Sequence, residues 1–126
     1  MADFKEMFTN TPDTTAEYDE KDIADNKVMG ILAYCYWLVL VPIFAAKESK
    51  FARFHANQGI VLAIVATVFA IVVSILSKIP FIGWLFVIVG SLGELATVGL
   101  MVIGIINAAN GKAKELPFIG KFRILK

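Results

Sequence analysis

Three long stretches of the chain carry almost no charge, and polar islands separate them. Val28 to Ala46 is 19 residues without a charged side chain, and Gly59 to Leu76 is a further 18 rich in Ile, Val and Ala. At about 1.5 Å per residue such runs make helices of roughly 27–28 Å, close to a ~30 Å hydrocarbon core. They are too long for soluble strands, and in lipid every backbone group must be paired internally, so the runs are helices. The third stretch, Ile79 to Gly111, is interrupted only by Glu94. As two crossings its arms would reach about 20–22 Å each, short of the core, whereas one helix over 84–108 is about 37 Å long and fits with a tilt. Gly90, Ser91 and Gly93 leave room for a kinked or partly re-entrant course. The pattern predicts an all-α polytopic transmembrane helical bundle with three spans, at about 28–46, 59–76 and 84–108.

The islands are segregated by sign. Residues 1–27, read as an acidic, flexible, solvated tail, hold eight acids and three bases, a net charge of −5. The 47–58 loop carries +2 and the C-terminal segment 110–126 carries +4. Residues 28–126 then form a single membrane domain. The positive-inside rule puts both basic segments in the cytoplasm, which requires an even number of crossings between them. With three spans the acidic N-terminus lies outside. The start is acidic, and the first apolar run begins at residue 28, so a cleavable signal peptide is not expected. Phe4, Met7 and Phe8 have the spacing of a short interfacial helix. One pentapeptide recurs: Ile79-Pro80-Phe81-Ile82-Gly83 and Leu116-Pro117-Phe118-Ile119-Gly120, read as a shared interfacial turn.

Composition agrees. Of 126 residues 58% are apolar and 18% charged, against the usual ~45–50% and ~25%, and mean hydropathy is +0.72. These values argue against a soluble globule, and the hydrophobicity excludes a disordered chain. A net charge of +1 gives no nucleic-acid signature, and the single cysteine, Cys35, excludes an internal disulfide framework.

On the third segment Gly83, Val87, Gly90, Glu94, Thr97, Met101, Gly104 and Ala108 repeat at alternating spacings of four and three, a single helix face built mostly of small residues. Gly59, Ala63, Ala66, Thr67, Ala70 and Ser74 offer a matching stripe on the second. Glu94 lies on this face, and a mid-membrane acid must be neutralised, hydrated or paired. Its candidate partners are Thr67, Ser74, Tyr34, Tyr36 or a second copy of the chain. A hydrogen-bonded packing residue is the favoured reading, and an ion or proton relay the alternative. In the run from Lys50 to Gln58, Phe51 and Phe54 are expected to insert at the membrane interface, with Lys50, Arg53, His55 and Asn57 at the headgroups, as a short amphipathic lead-in to the second span. Anionic lipid headgroups are its candidate ligand. Asp19, Asp22 and Asp25 lack the glycine and terminal glutamate of an EF-hand loop and read as solvated charge. No nucleophile and base pair, phosphate loop or metal-ligand cluster is visible, so no enzyme activity, catalytic residue, cofactor or metal is expected.

Three segments resemble a known family: Asn26 to Tyr34 entering the first span, Phe51-Ala52-Arg53-Phe54-His55-Ala56-Asn57-Gln58-Gly59, and Asn107-Ala108-Ala109-Asn110-Gly111 with the downstream Leu116 to Gly120. Together they look like small bacterial membrane proteins of the Tic-twenty-like group, which includes the magnetosome proteins MamF and MmsF and is distantly similar to a chloroplast inner-envelope import component. The resemblance implies a small helical protein of the bacterial plasma membrane and supplies no catalytic positions. The candidate functional or packing residues are therefore Glu94, Arg53, His55, Gln58, Asn107 and Asn110. The expected role is a non-enzymatic structural or interaction subunit, partnered by the lipid bilayer and by a second copy or another membrane protein. The alternative is a small transport or translocation component, channel-like on oligomerisation, with Glu94 at the pathway.

Overall fold

A computed structural model describes residues 11–125; the interfacial helix read over Phe4 to Phe8 lies outside them. Among the described residues all regular structure is helical apart from one isolated antiparallel bridge, Asp13 to Lys114. Three short helices, α1 (Glu20–Asp25), α2 (Lys27–Leu32) and α3 (Leu40–Ala45), precede two long ones, α4 (Lys50–Leu76) and α5 (Gly83–Ala109). Single 3₁₀ turns stand at Thr15–Glu17 and Tyr36–Val39.

α4 and α5 are each long and apolar enough to cross a membrane and pack together as a hairpin. α4 begins nine residues before the expected 59, because its start is capped twice. The Ser49 hydroxyl accepts from Ala52 N at 3.0 Å, and the Asp22 carboxylate accepts from Phe51 N at 3.0 Å. Both satisfy first-turn N–H groups, and the carboxylate also complements the helix dipole. α5 runs without interruption through Gly90, Ser91 and Gly93, so the third segment is one helix and not a re-entrant one. Its buried residues, Gly83, Gly90, Thr97, Gly104 and Ala108, all belong to the small-residue face read from the spacing. α5 ends in a Schellman motif: Gly111, at φ +71°, donates to Ala108 O at 3.0 Å, and Lys112 donates to Asn107 O at 2.9 Å.

The repeated pentapeptide makes the same turn twice. Phe81 and Phe118 adopt φ of 72° and 68°, and the glycine N–H that ends each motif closes on the carbonyl that begins it, Gly83 to Ile79 at 2.9 Å and Gly120 to Leu116 at 3.1 Å. The first copy joins α4 to α5 at one end of the hairpin. The second folds the C-terminal segment against the other end.

The expected first span is not a continuous helix. After α2 the chain turns at Cys35 and Tyr36, the latter at φ 53°, and returns through the 3₁₀ turn and α3 to Ala46. Two tip residues anchor this re-entrant hairpin. Trp37 Nε1 donates to the Thr67 hydroxyl of α4 at 2.9 Å, and the Tyr36 hydroxyl lies 3.3 Å from that of Thr97 on α5. Thr97 is 12 residues from the end of α5, so the tip reaches about 18 Å along the helix pair, a little under half its length. The described residues thus hold two membrane-length helices and, over 28–46, a shorter apolar hairpin where one continuous helix was expected. The physical reason is that polar groups at the tip find partners on both long helices, which a straight helix would not supply.

Both ends of the hairpin lie at the same end of α4 and α5, and so does the N-terminal segment. Thr14 N donates to Ala113 O at 2.9 Å, Glu115 N donates to Pro12 O at 3.0 Å, and the Thr11 hydroxyl donates to Glu115 O at 2.6 Å. Residues 11–27 are thereby built into a cap with residues 112–125, where a solvated tail on the opposite side was expected.

Candidate functional site

The polar residues of the first two turns of α4 converge on this cap. His55 is fully buried rather than placed at the headgroups. Its ring is enclosed edge-on by Tyr34, Phe51 and Phe54 at centroid distances of 5.3, 4.7 and 5.1 Å. Nε2 lies 2.8 Å from the Lys112 carbonyl, which can only accept, so Nε2 carries a proton. Nδ1, 2.6 Å from the Tyr34 hydroxyl, then accepts from it in the neutral ring. One imidazole therefore joins the re-entrant hairpin, α4 and the C-terminal segment.

Gln58, also fully buried, uses both ends of its amide. Nε2 donates to Gly120 O at 2.8 Å, and Oε1 accepts from Leu116 N at 2.9 Å. These are the two ends of the second pentapeptide turn. Asn57 holds the segment beyond that turn, its Oδ1 accepting from Ile124 N at 3.1 Å and Leu125 N at 2.6 Å. Arg53 is partly exposed and lines a recess of about 500 Å³ with Glu17, Tyr18, Lys50, Phe54, Asn57 and Arg123. Asn107 contributes its carbonyl to the Schellman motif, and Asn110 is the exposed C-cap of α5. The structure thus brings Arg53, His55, Gln58 and the Asn107–Asn110 turn to one end of the molecule.

In the N-terminal half of the cap, hydrogen bonds from the Thr15 hydroxyl and then the Thr15 N–H hold Asp13 below the usual carboxylate range. Burial pushes the Tyr18 phenol above its ordinary value, while the nearby Arg123 charge acts in the opposite direction.

Glu94 stands apart, in the middle of α5. Thr97 donates its hydroxyl proton to the Glu94 carbonyl at 2.8 Å, so Tyr36 must be the donor in its contact with Thr97. Glu94 Oε2 lies 3.5 Å from the same hydroxyl, and Oε1 is buried with no hydrogen-bond partner. Glu94 lines a cavity of about 590 Å³ between α4 and α5, where Ser74, Ser77 and Ser91 supply the other polar groups. Tyr36 reaches Glu94 only through Thr97. Thr67 is occupied by Trp37, and Tyr34 by His55.

The sequence places Asn57 at the headgroups, Tyr34 beside Glu94 and Asp22 in solvated charge, none of them in the cap. Asn57 was within reach: His55 and Gln58 are three apart and Arg53 and Asn57 four apart, two adjacent polar faces on one helix. Tyr34 and Asp22 act 21 and 29 residues away from their partners, and nothing local marks them.

Residues 25–123 match the model of the magnetosome magnetite crystal formation protein family. A UPF0132 membrane protein of Methanocaldococcus jannaschii is 33% identical over 98 residues, which cover 76% of this chain and 66% of that relative. The magnetosome proteins MmsF and MamF of Paramagnetospirillum magneticum are 32% and 31% identical, over 76% and 75% of this chain and 83% and 79% of theirs. No solved structure gives a significant match. The matched region takes in the apolar hairpin, both long helices and the C-terminal part of the cap down to Arg123, with residues 11–24 outside it, and on that extent the chain belongs to the MamF/MmsF family of membrane proteins.

Proposed function

We propose that the protein is a non-enzymatic structural or interaction subunit of the bacterial plasma membrane. It crosses twice, through α4 and α5, and presents a folded cytoplasmic cap made from residues 11–27, the 46–50 loop and residues 112–125. The observation that carries this reading is the use made of the polar groups at the start of α4. His55, Asn57 and Gln58 are spent on the chain's own C-terminal backbone, which builds a rigid surface for a protein partner or a second copy. The basic character of residues 47–53 and 112–126 supports the cytoplasmic side. Two relatives are named for the magnetosome, whereas the Methanocaldococcus one is named only as a membrane protein. What the names share is the membrane, and this chain's role is assigned at that level.

Single cysteines introduced by Ala16→Cys, Phe81→Cys and Lys121→Cys in a Cys35→Ser background test the topology with a membrane-impermeant maleimide. Positions 16 and 121 are expected to label from the same face of sealed vesicles and position 81 from the other. Labelling of 16 and 121 from opposite faces would reinstate three crossings and remove the cap.

A second reading draws on one observation, the unpartnered Glu94 oxygen beside the cavity between the long helices. Such an oxygen could hold a proton or cation in passage. Proteoliposomes containing wild type and Glu94→Gln separate the two. The structural role expects no flux of protons or monovalent cations above empty liposomes in either preparation. A wild-type flux abolished by Glu94→Gln would establish the transport role instead.

A further inference from the structure

The cavity between α4 and α5 lies in the half of the helix pair away from the cap. It runs from Ser77 and Val87 to Val98, and the Tyr36 hydroxyl on the neighbouring Thr97 marks its cap-side end. The apolar hairpin reaches only to this level. Beyond it Ala70, Ser74, Val87, Ser91 and Leu95 line the cavity and are exposed, which leaves it open at the side, toward lipid. Its volume of about 590 Å³ lies within the range of small-ligand sites. Glu94 stands 11 residues from Gly83 at the start of α5, about 16 Å along the axis, and so deep inside the hydrocarbon core.

The polar groups on its wall are chiefly acceptors. Ser91 Oγ gives its hydrogen to Val87 O at 2.9 Å and Ser77 Oγ gives its own to Ser74 O at 2.8 Å, so each of these hydroxyls offers only lone pairs to the cavity. An ionised carboxylate also only accepts, and Glu94 Oε1 has no hydrogen-bond partner among the described residues. Glu94 is half-buried and lines the cavity, and a turn about its last side-chain bond brings either oxygen to face it. Ser91 and Glu94 are three apart and share one face of α5. A mid-membrane acid needs a proton, water or a partner of opposite charge. An anion finds no charged donor on this wall, whereas a cation with N–H groups meets an acid and a hydroxyl oxygen together. Entry from the side selects a ligand that dissolves in lipid.

We propose that this cavity binds a lipophilic ammonium ion, an alkyl amine in its protonated form, with its head on Glu94 and Ser91 and its chain on the apolar wall. The site rests on the same oxygen as the transport reading above and goes beyond it by naming the class of ligand. It requires no flux, because binding is measured in detergent, without a gradient or a vesicle. A chain that binds the amine and passes no cations keeps the site and loses the transport role.

The full chain in a non-ionic detergent is titrated calorimetrically with octylammonium, octanol and octanoate, which share one chain and differ in the charge of the head. Saturable binding of octylammonium is expected, with octanol and octanoate at least about tenfold weaker, since a hydrogen bond to an ionised partner is roughly twice as strong as a neutral one. Glu94→Gln keeps the shape of the side chain and should weaken octylammonium at least about tenfold, while octanol stays within about twofold. Glu20→Gln, the same charge removed from an exposed position in the cap, should leave octylammonium within about twofold. Ser74→Leu adds bulk at the exposed mouth and keeps the acid, so it serves if Glu94→Gln fails to fold, with a loss of about threefold or more expected. Octanol binding as tightly as octylammonium, equal effects of Glu94→Gln and Glu20→Gln, or undiminished octylammonium binding in Ser74→Leu would overturn the proposal.

Discussion

Gly59→Ala is expected to unfold the re-entrant hairpin, although the same substitution inside most helices is favourable. Glycine in a helix ordinarily costs about 0.5–1 kcal/mol relative to alanine, so removing one should stabilise. Gly99, with nothing near its missing side chain, is such a position. At Gly59 an added methyl would overlap the backbone carbonyl of Ala33 outright and come within 3.2 Å of Val39. Ala33 is fully buried, and its neighbour Tyr34 is tied to His55, so the carbonyl cannot move alone. Overpacking costs about 1–3 kcal/mol where side chains can yield, and a backbone obstacle belongs at or above the upper end. In detergent, thermal denaturation of Gly59→Ala should fall by on the order of 10 °C, while Gly99→Ala stays level or rises. Cys35, at the turn, should react faster with a maleimide in Gly59→Ala. Equal melting of the two variants would mean that residues 28–46 do not fold back on α4.

The two long helices were legible because their determinants are local. Runs of uncharged residues bounded by Ser77-Lys78-Ile79-Pro80 and by Asn110-Gly111 fix where α4 and α5 end, and the spacing of small residues marks the face of α5 that packs. The 46–50 loop and residues 112–125 lie at the same end of α4 and α5 because the two helices pack antiparallel. The hairpin at 28–46 has the same hydropathy as a span, so composition does not separate them. Its turn is decided by Trp37 on Thr67 and Tyr36 on Thr97, contacts 30 and 61 residues apart. Pro42, which lacks a backbone N–H, was the one local sign against a continuous helix there. The site divides in the same way. His55 and Gln58 could be named from the segment that carries the family resemblance, but apart from the Tyr34 hydroxyl on His55 their partners are backbone groups 57 to 62 residues away, which no side-chain pattern encodes. Glu94 is half-buried, and its neighbour is Thr97 on its own helix.

Gln58→Leu keeps nearly the same volume and removes both hydrogen bonds, so it isolates the polar clamp from packing. The Leu116 N–H and the Gly120 carbonyl would each lose a partner within a buried turn. A buried group left unsatisfied costs about 1–3 kcal/mol, and two of them on the order of 2–6 kcal/mol. That cost falls first on the C-terminal segment, since His55 and Asn57 still hold Lys112 and residues 124–125. The segment should therefore open locally before the helices separate. Trypsin reads this directly at Lys121 and Arg123, just past the clamped turn. An opening cost lowered by about 3 kcal/mol raises the cleavage rate roughly 100-fold when reclosing outruns the protease. Asn110→Ala, exposed at the same end, should cleave at the wild-type rate. The His55 contacts give an internal check, because Tyr34 and Phe51 stay in place if only the turn has opened, so near-ultraviolet circular dichroism of the aromatic cluster should survive in Gln58→Leu. Cleavage of Gln58→Leu no faster than that of Asn110→Ala would show that the C-terminal segment is held by apolar contacts around Leu116 and not by the glutamine.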